Sequence, residues 1–242
     1  MSHSTTARTA LVVGGTSGIG LATARLLADR GYDVHVAGRS AERVKAVTDL
    51  DPRLTAHQAD GGDRPAIDAL AAELAPLDAL VVTLSGSLGM GALAELDLDV
   101  LRQAFDAKLW AHLTTLQAAL PHLAPDASVT LLGAISAHAA MPGTAGLSAL
   151  NAAVEGLVRP LAVELAPIRV NAVSPGVVDT AWWSGLPDDA RAAFFEATAA
   201  GIPVRHVATA DEVAEVVALV ATNRNLSGTV VEADGGARLV SL

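Results

Sequence analysis

The stretch VVGGTSGIG, residues 12–20, holds residue types that cradle a phosphate. Gly14 permits a tight turn, Gly18 lets backbone approach a pyrophosphate, and Gly20 lets a helix pack closely on a strand. Thr16, Ser17 and Ile19 lie between them. A helix opening here would offer free N–H groups and a positive dipole end to an anion. The same glycines could serve a purely structural turn. The flanks favour the phosphate reading: β-branched TALVVGG precedes the turn and helical GLATARLLADR follows it. A second stretch, VAGRS at 36–40, lies where dinucleotide folds read the adenine ribose. A carboxylate there would bind the 2′-hydroxyl of NAD(H). Gly38 takes that place, and Arg39 and Ser40 follow, which suits a 2′-phosphate and favours NADP(H) over NAD(H). The plainer alternative is a solvated arginine in a turn.

Other chemistries are constrained by what the chain lacks. There is no cysteine, so thiolate catalysis, disulfides and sulfur-ligated zinc are excluded. The seven histidines are scattered without metal-ligand spacing, and no metal site is expected. A net charge of −10 argues against a nucleic-acid or anionic-membrane partner.

These residues need a scaffold. Hydrophobic residues at 51% and charged residues at 17% allow a sizeable core and disfavour disorder. Apolar strand-like runs (TALVVGG, YDVHVAG, RLTAHQAD, LDALVVTL, SVTLLGA, RVNAVSP, GTVVEAD) alternate with helix-length segments. Long helices are expected over roughly 97–123, 145–166 and 210–222, and a charged helix from about Ser40. Such alternation predicts an α/β, doubly wound parallel sheet of Rossmann type with helices on both faces. The chain reads as one dinucleotide-binding domain, 1–242, with a flexible N-terminus over about 1–7. No apolar segment of signal length precedes the first strand, and a cytoplasmic location is expected. Residues 127–154 carry no formal charge, but glycines, Pro142 and serines break that run into strand, loop and helix.

By these motifs the chain resembles the short-chain dehydrogenase/reductase family, and the resemblance covers nearly all of it. GGTSGIG is similar to the family's glycine motif, with Val13 at the usual threonine. QADGGD resembles the segment after the third strand, which implies that Asp60 contacts adenine beside Gly61. RVNAVSPGVVDT, 169–180, resembles the sixth-strand signature and implies that Pro175, Gly176, Val178 and Thr180 line nicotinamide and pyrophosphate. Where the family has Asn-Asn-Ala-Gly, this chain has Thr83-Leu84-Ser85-Gly86. Ser85 and Gly86 are thereby expected to border the cofactor.

The family uses an asparagine, a serine, a tyrosine and a lysine. Alignment through NAAVEGL puts the tyrosine position at Leu147 and the lysine position at Asn151, on one helix face. The usual spacing puts the serine position at Ala134 and the asparagine position at Lys108. The single tyrosine, Tyr32, is expected in the turn before the second strand, on the adenine side, and cannot supply the missing acid. Lysine and asparagine have in effect exchanged places. Lys108 and Asn151 could therefore both contact the ribose; alternatively Lys108 snorkels to solvent. Ser136, His138 and Ser148 lie close enough in sequence to replace the proton donor, though each could equally be a plain loop or surface residue.

Beyond Thr180, four of the seven aromatic residues fall in a segment that the resemblance implies is a substrate lid, about 181–205. Trp182 and Trp183 are the expected substrate contacts; Phe194 and Phe195 could instead seal a helix. SGSLGMGAL, 85–93, is expected to border the same cleft. The sequence thus predicts an NADP(H)-dependent oxidoreductase acting on a small molecule through a non-standard site. Two alternatives stay open: a non-catalytic NADP(H)-binding sensor or partner, and a redox-neutral enzyme on the same fold. The resemblance implies a homodimer or homotetramer.

Overall fold

The computed structural model describes residues 7–86 and 88–240; residues 1–6 of the expected N-terminal tail lie outside them. The chain runs β1 (Arg8–Val13), α1 (Gly18–Asp29), β2 (Tyr32–Gly38), α2 (Ala41–Leu50), β3 (Leu54–Gln58), α3 (Arg64–Leu74) and β4 (Leu77–Val82). Then come α4 (Leu98–Phe105), α5 (Ala111–Ala119), β5 (Leu123–Leu132), α6 (Ala145–Gly156), α7 (Val158–Glu164) and β6 (Arg169–Pro175). The last elements are β7 (Val178–Asp179), α8 (Asp188–Gly201), β8 (Ala208–Thr209), α9 (Ala210–Thr222) and β9 (Val230–Ala233).

Seven parallel strands form one sheet in the order β3-β2-β1-β4-β5-β6-β9. The order reverses between β1 and β4, and ligands in such sheets bind beyond the strand C-termini at that point. Period-two alternation divides the core. Ala10, Val12, Val34, Val36 and Val81 face α1 and α9. Leu11, Val13, Leu80, Val82 and Val129 face the α3, α5, α6 and α7 layer. Both sides of each central strand are apolar because both are covered.

The structure departs from the expected elements in four places. The long helix over 97–123 is interrupted: α4 ends at Phe105, residues Asp106–Trp110 form a π-helical turn, and α5 follows. The helix over 145–166 is divided into α6 and α7. Strand β5 begins at Leu123, and its pairing with β4 shifts between Leu77 and Ala79. Pro125 lies in that irregular stretch, where a missing N–H does no harm. Tyr32 is the first residue of β2, with the Arg8 guanidinium 4.4 Å from its ring centre. This corrects the expected adenine-side position. The cleft lies beyond the other end of β2, past Gly38, roughly 20 Å away at the strand rise.

No described helix is long and apolar enough to cross a membrane.

Candidate functional site

The glycine turn links β1 to α1 beneath the sheet's reversal point. Gly14 has φ +87° and Gly18 has φ +53°, a region where L side chains are strained. A Cβ on Gly20 would lie 2.4 Å from the Gly14 carbonyl oxygen and 2.5 Å from Thr83 Oγ1. Only glycine lets α1 approach the β1 and β4 ends this closely. Ser17 occupies the N-cap of α1 without a side-chain cap bond, and the first turn holds no acidic residue. The N–H groups there are thus left for an anion. Ile19 is half-buried and packs on the core, so it serves the turn through its backbone.

At the end of β2, a Cβ on Gly38 would fall 2.6 Å from the Thr16 side chain. Thr16 therefore stands against the place where a carboxylate would sit. Arg39 is largely exposed, with Nε 3.9 Å from Asp60 Oδ2, too far for a hydrogen bond. Ser40 caps α2 by accepting from the Arg43 N–H at 3.2 Å. Asp60 accepts from the Gly62 N–H, and buried Gly61 passes its carbonyl to Thr115 Oγ1 at 2.9 Å. Arg39, Asp60, Arg64, Leu84 and Ser85 border an open cleft of about 940 Å³.

The 175–180 segment closes the other side. Pro175 ends β6, and a Cβ on Gly176 would lie 3.0 Å from the Asp234 backbone. Val178 is buried, and a Cβ on Gly18 would lie 3.5 Å from the Thr180 side chain, so the two segments meet. Strand β7 pairs with β8 (Val178↔Ala208, Asp179↔Thr209), which ties the two ends of the lid together. Within the lid, Trp182 Nε1 donates to the Gly86 carbonyl at 3.2 Å, and Trp183 Nε1 donates to the Val178 carbonyl at 3.0 Å. Trp183 stacks with Phe194 at 4.7 Å and lies edge-on to Phe195 at 6.0 Å. Trp182 thus faces the glycine-rich loop, whereas Trp183 anchors α8. The two phenylalanines hold the lid together.

The residues that the sequence alignment singled out, Lys108, Ala134, Leu147 and Asn151, gather around α6. Lys108, on the π-helical turn, is 5% exposed, which excludes snorkelling. Its ammonium donates to the Asn151 Oδ1 at 2.6 Å and to the Gly133 carbonyl at 3.1 Å. Asn151 in turn donates through Nδ2 to Ser136 Oγ at 2.9 Å and to the Leu147 carbonyl at 3.0 Å. Lysine and asparagine are therefore direct partners. Burial pushes Lys108 down to about 8, with Glu155 pulling the other way. His112, one turn on, brings Nδ1 within 2.8 Å of the Lys108 carbonyl oxygen. Burial and the Lys108 charge lower His112 to about 3, so it is neutral. Leu147 and Ala134 add half-buried apolar surface beside this chain.

Glu155 was not anticipated. It lies one turn beyond Asn151 on the same face of α6, buried, with His138 Nε2 at 2.6 Å from Oε2 and Ser174 Oγ donating to Oε1 at 2.7 Å. Its signal in the sequence was a lone carboxylate in an otherwise apolar helical run, four residues after Asn151. Ser148 has no comparable place: it is half-buried and its N–H bonds the Thr144 carbonyl. No group of three or more His, Asp or Glu able to hold a metal occurs among the described residues.

Known proteins share this architecture. Residues 13–238 match a family model described as "Enoyl-(Acyl carrier protein) reductase". The chain is 35% identical to a cis-4-hydroxycyclohexanecarboxylate dehydrogenase of Sinomonas cyclohexanicum, covering 95% of this chain and 96% of that protein. It is 31% identical to a hydroxynaphthalene reductase of Aspergillus fumigatus, over 89% and 86% of the two chains. Among solved structures, a short chain dehydrogenase/reductase family protein superposes with a TM-score of 0.83 at 33% identity, covering 96% and 98%. A small-chain dehydrogenase in complex with NADPH gives 0.81 at 29% identity, covering 96% and 99%. A matched model over nearly the whole chain and relatives above 30% identity agree with the strand order and glycine turn: the chain belongs to the short-chain dehydrogenase/reductase family.

Proposed function

We propose that the chain is an NADP(H)-dependent oxidoreductase with a rearranged proton-handling site. One observation carries the reading: the glycine turn, Arg39 and the 175–180 segment meet where the strand order reverses. The residues fit the cofactor. Uncapped N–H groups at Ser17–Ile19 suit the pyrophosphate, and Gly14 and Gly20 leave the close approach open. Arg39 and the Ser40 hydroxyl suit a 2′-phosphate. The related structure with NADPH and the relatives named as dehydrogenase and reductase support the same class.

When bound, the nicotinamide supplies or accepts a hydride. The chain's residues orient the partner substrate. Asn151 donates into Ser136 Oγ, so the Ser136 proton remains available for a substrate oxygen. Its contact with the Leu147 carbonyl is long at 3.5 Å and gives way easily. Lys108 holds the Asn151 oxygen, which fixes the amide with its NH2 toward Ser136. Trp182, Leu147 and the 85–93 loop give the substrate apolar walls.

A second reading is favoured by Leu147, which cannot donate a proton: an NADP(H)-binding protein without turnover. Fluorescence titration with NADPH and NADH, followed by loss of reduced-nicotinamide absorbance on ketones, imines and enones, separates the two. Tight NADPH binding with turnover supports the enzyme. Binding without turnover supports the binding protein, and no binding of either nucleotide refutes both.

We also propose a homo-oligomer. Leu98 and Trp110 are 56% and 55% exposed and line one groove with Leu101 and Phe105, which Arg102 and Asp106 also border. Exposed apolar side chains from α4 and the π-helical turn, with charges of both signs beside them, suit a second copy.

A further inference from the structure

We propose that His138 exchanges the proton with the substrate oxygen and that Glu155 is its positioning residue; this rests on the oxidoreductase reading above. Leu147 stands where the family resemblance places the acid, and Ser136 alone is a weak one. A serine hydroxyl can orient a carbonyl, but at neutral pH it yields its proton reluctantly. An imidazole is the side chain whose ordinary range spans that pH.

The geometry is that of a held histidine. His138 Nε2 lies 2.6 Å from Glu155 Oε2, and the other carboxylate oxygen accepts from Ser174 Oγ at 2.7 Å. Both oxygens are thus engaged, and the Glu155 side chain is 7% exposed. Space for the carboxylate comes from Gly133, where a Cβ would lie 2.6 Å from Glu155 Oε1. The His138 side chain is 42% exposed, so its inner nitrogen is anchored while its outer edge is open. Among the described residues Nδ1 has no hydrogen-bond partner, and it is the nitrogen left for a ligand. A carboxylate on one ring nitrogen sets the tautomer and stabilises the imidazolium, leaving the other nitrogen for proton transfer.

Placement agrees. His138 follows the turn Ile135–Ala137 at the C-terminal end of β5, two residues after Ser136. The same loop is tied to the 85–93 loop by the Gly91 N–H to the Gly143 carbonyl at 2.8 Å. Ser136 and His138 run alongside α6, paired with Asn151 and Glu155 on successive turns. The charged neighbours are Glu155 on α6 and the Lys108 ammonium on the π-helical turn. Lys108 is committed to Asn151 and Gly133, so His138 is the group that takes the Glu155 oxygen.

In the reduction direction the substrate carbonyl carbon gains a hydride, with its electron pair, from the reduced nicotinamide. The C=O π pair moves to oxygen, and oxygen takes the proton from Nδ1. The ketone becomes an alcohol, and the imidazolium becomes neutral imidazole with Nε2–H still on Glu155. Water at the open edge restores the Nδ1 proton. Oxidation of the alcohol reverses each transfer.

The test compares wild type, H138Q, H138A and E155Q. NADPH affinity is read by fluorescence, ring protonation by ¹⁵N NMR of the histidines, and turnover with 4-oxocyclohexanecarboxylate as the ketone probe. We expect H138A and H138Q to bind NADPH like wild type and to lose about 10² to 10⁴-fold in kcat. Free imidazole restores turnover to H138A and not to H138Q. The His138 proton resides on Nε2, facing Glu155, in the neutral ring, and E155Q abolishes that bias. Turnover in H138Q within about threefold of wild type overturns the role of His138 and leaves the oxidoreductase reading standing. A neutral ring protonated on Nδ1, H138A that imidazole does not rescue, or wild type that binds NADPH without reducing the ketone also overturns it. Failure of wild type to bind NADPH removes the broader reading as well.

Discussion

Lys108 is the residue on which the site's internal chemistry turns. An ammonium sealed from water must find oxygens, and it has two, from Asn151 and Gly133. Burial still disfavours its charge, and its group titrates near 8 rather than at its usual 10.5. Between those values the unfolded chain holds a proton that the folded one has released. Stability therefore rises as pH increases from about 8 to 10.5, by about 3 kcal/mol at 1.36 kcal/mol per unit. K108M removes the titrating group, so urea unfolding of K108M should show a flatter stability profile over that window than wild type. An equal rise in both would place the effect elsewhere. The sequence singled out Lys108 and Asn151 as a pair of interest. Their direct contact was not legible there, because 43 residues separate them and only the packing of α6 against the π-helical turn unites them. Glu155 escaped for the same reason: its partners, His138 and Ser174, come from two different strand ends.

At the scale of elements, local rules set most boundaries. Helix α9 occupies Ala210–Thr222 as its pattern predicts, because Thr209 and Glu212 form a capping box. Thr209 Oγ1 accepts from the Glu212 N–H at 3.2 Å, while Glu212 Oε2 accepts from the Thr209 N–H at 2.7 Å. T209A should cost about 1 kcal/mol in chemical denaturation, and T209S should restore it. Neither variant should change nucleotide affinity. The elements that sequence periodicity could not supply are those without a period. The π-helical turn adds one residue to a repeating pattern, and the apolar spacing of 97–123 reads through it as one helix. Two-residue strands such as β7 and β8 are too short to show alternation. The break between α6 and α7 at Leu157 did carry a signal, Gly156 beside it and Pro160, which has no N–H for the Gly156 carbonyl.

For the whole molecule, the parallel sheet brings the glycine turn, the end of β2 and the 175–180 segment to the same end of the strands. Sequence motifs separated by up to the length of the chain meet there because parallel strands all end on the same side. That is why the glycine turn and the 175–180 segment could be read from local motifs, whereas the contacts among Lys108, Asn151, His138 and Glu155 could not. The groove beside α4 belongs to this scale too. On the homo-oligomer we propose, W110E should lower the mass read by light scattering relative to wild type without altering helix content by circular dichroism. An unchanged mass would place the interface elsewhere. We propose that the cleft is built for a 2′-phosphorylated dinucleotide, with Arg39 as its selective contact. The most direct measurement is the ratio of NADH to NADPH dissociation constants in wild type and R39A. Charge-assisted hydrogen bonds of about 1.5–3 kcal/mol predict that R39A weakens NADPH by about 10- to 150-fold and leaves NADH nearly unchanged. Equal affinity for the two nucleotides in wild type, or binding of neither, would contradict it.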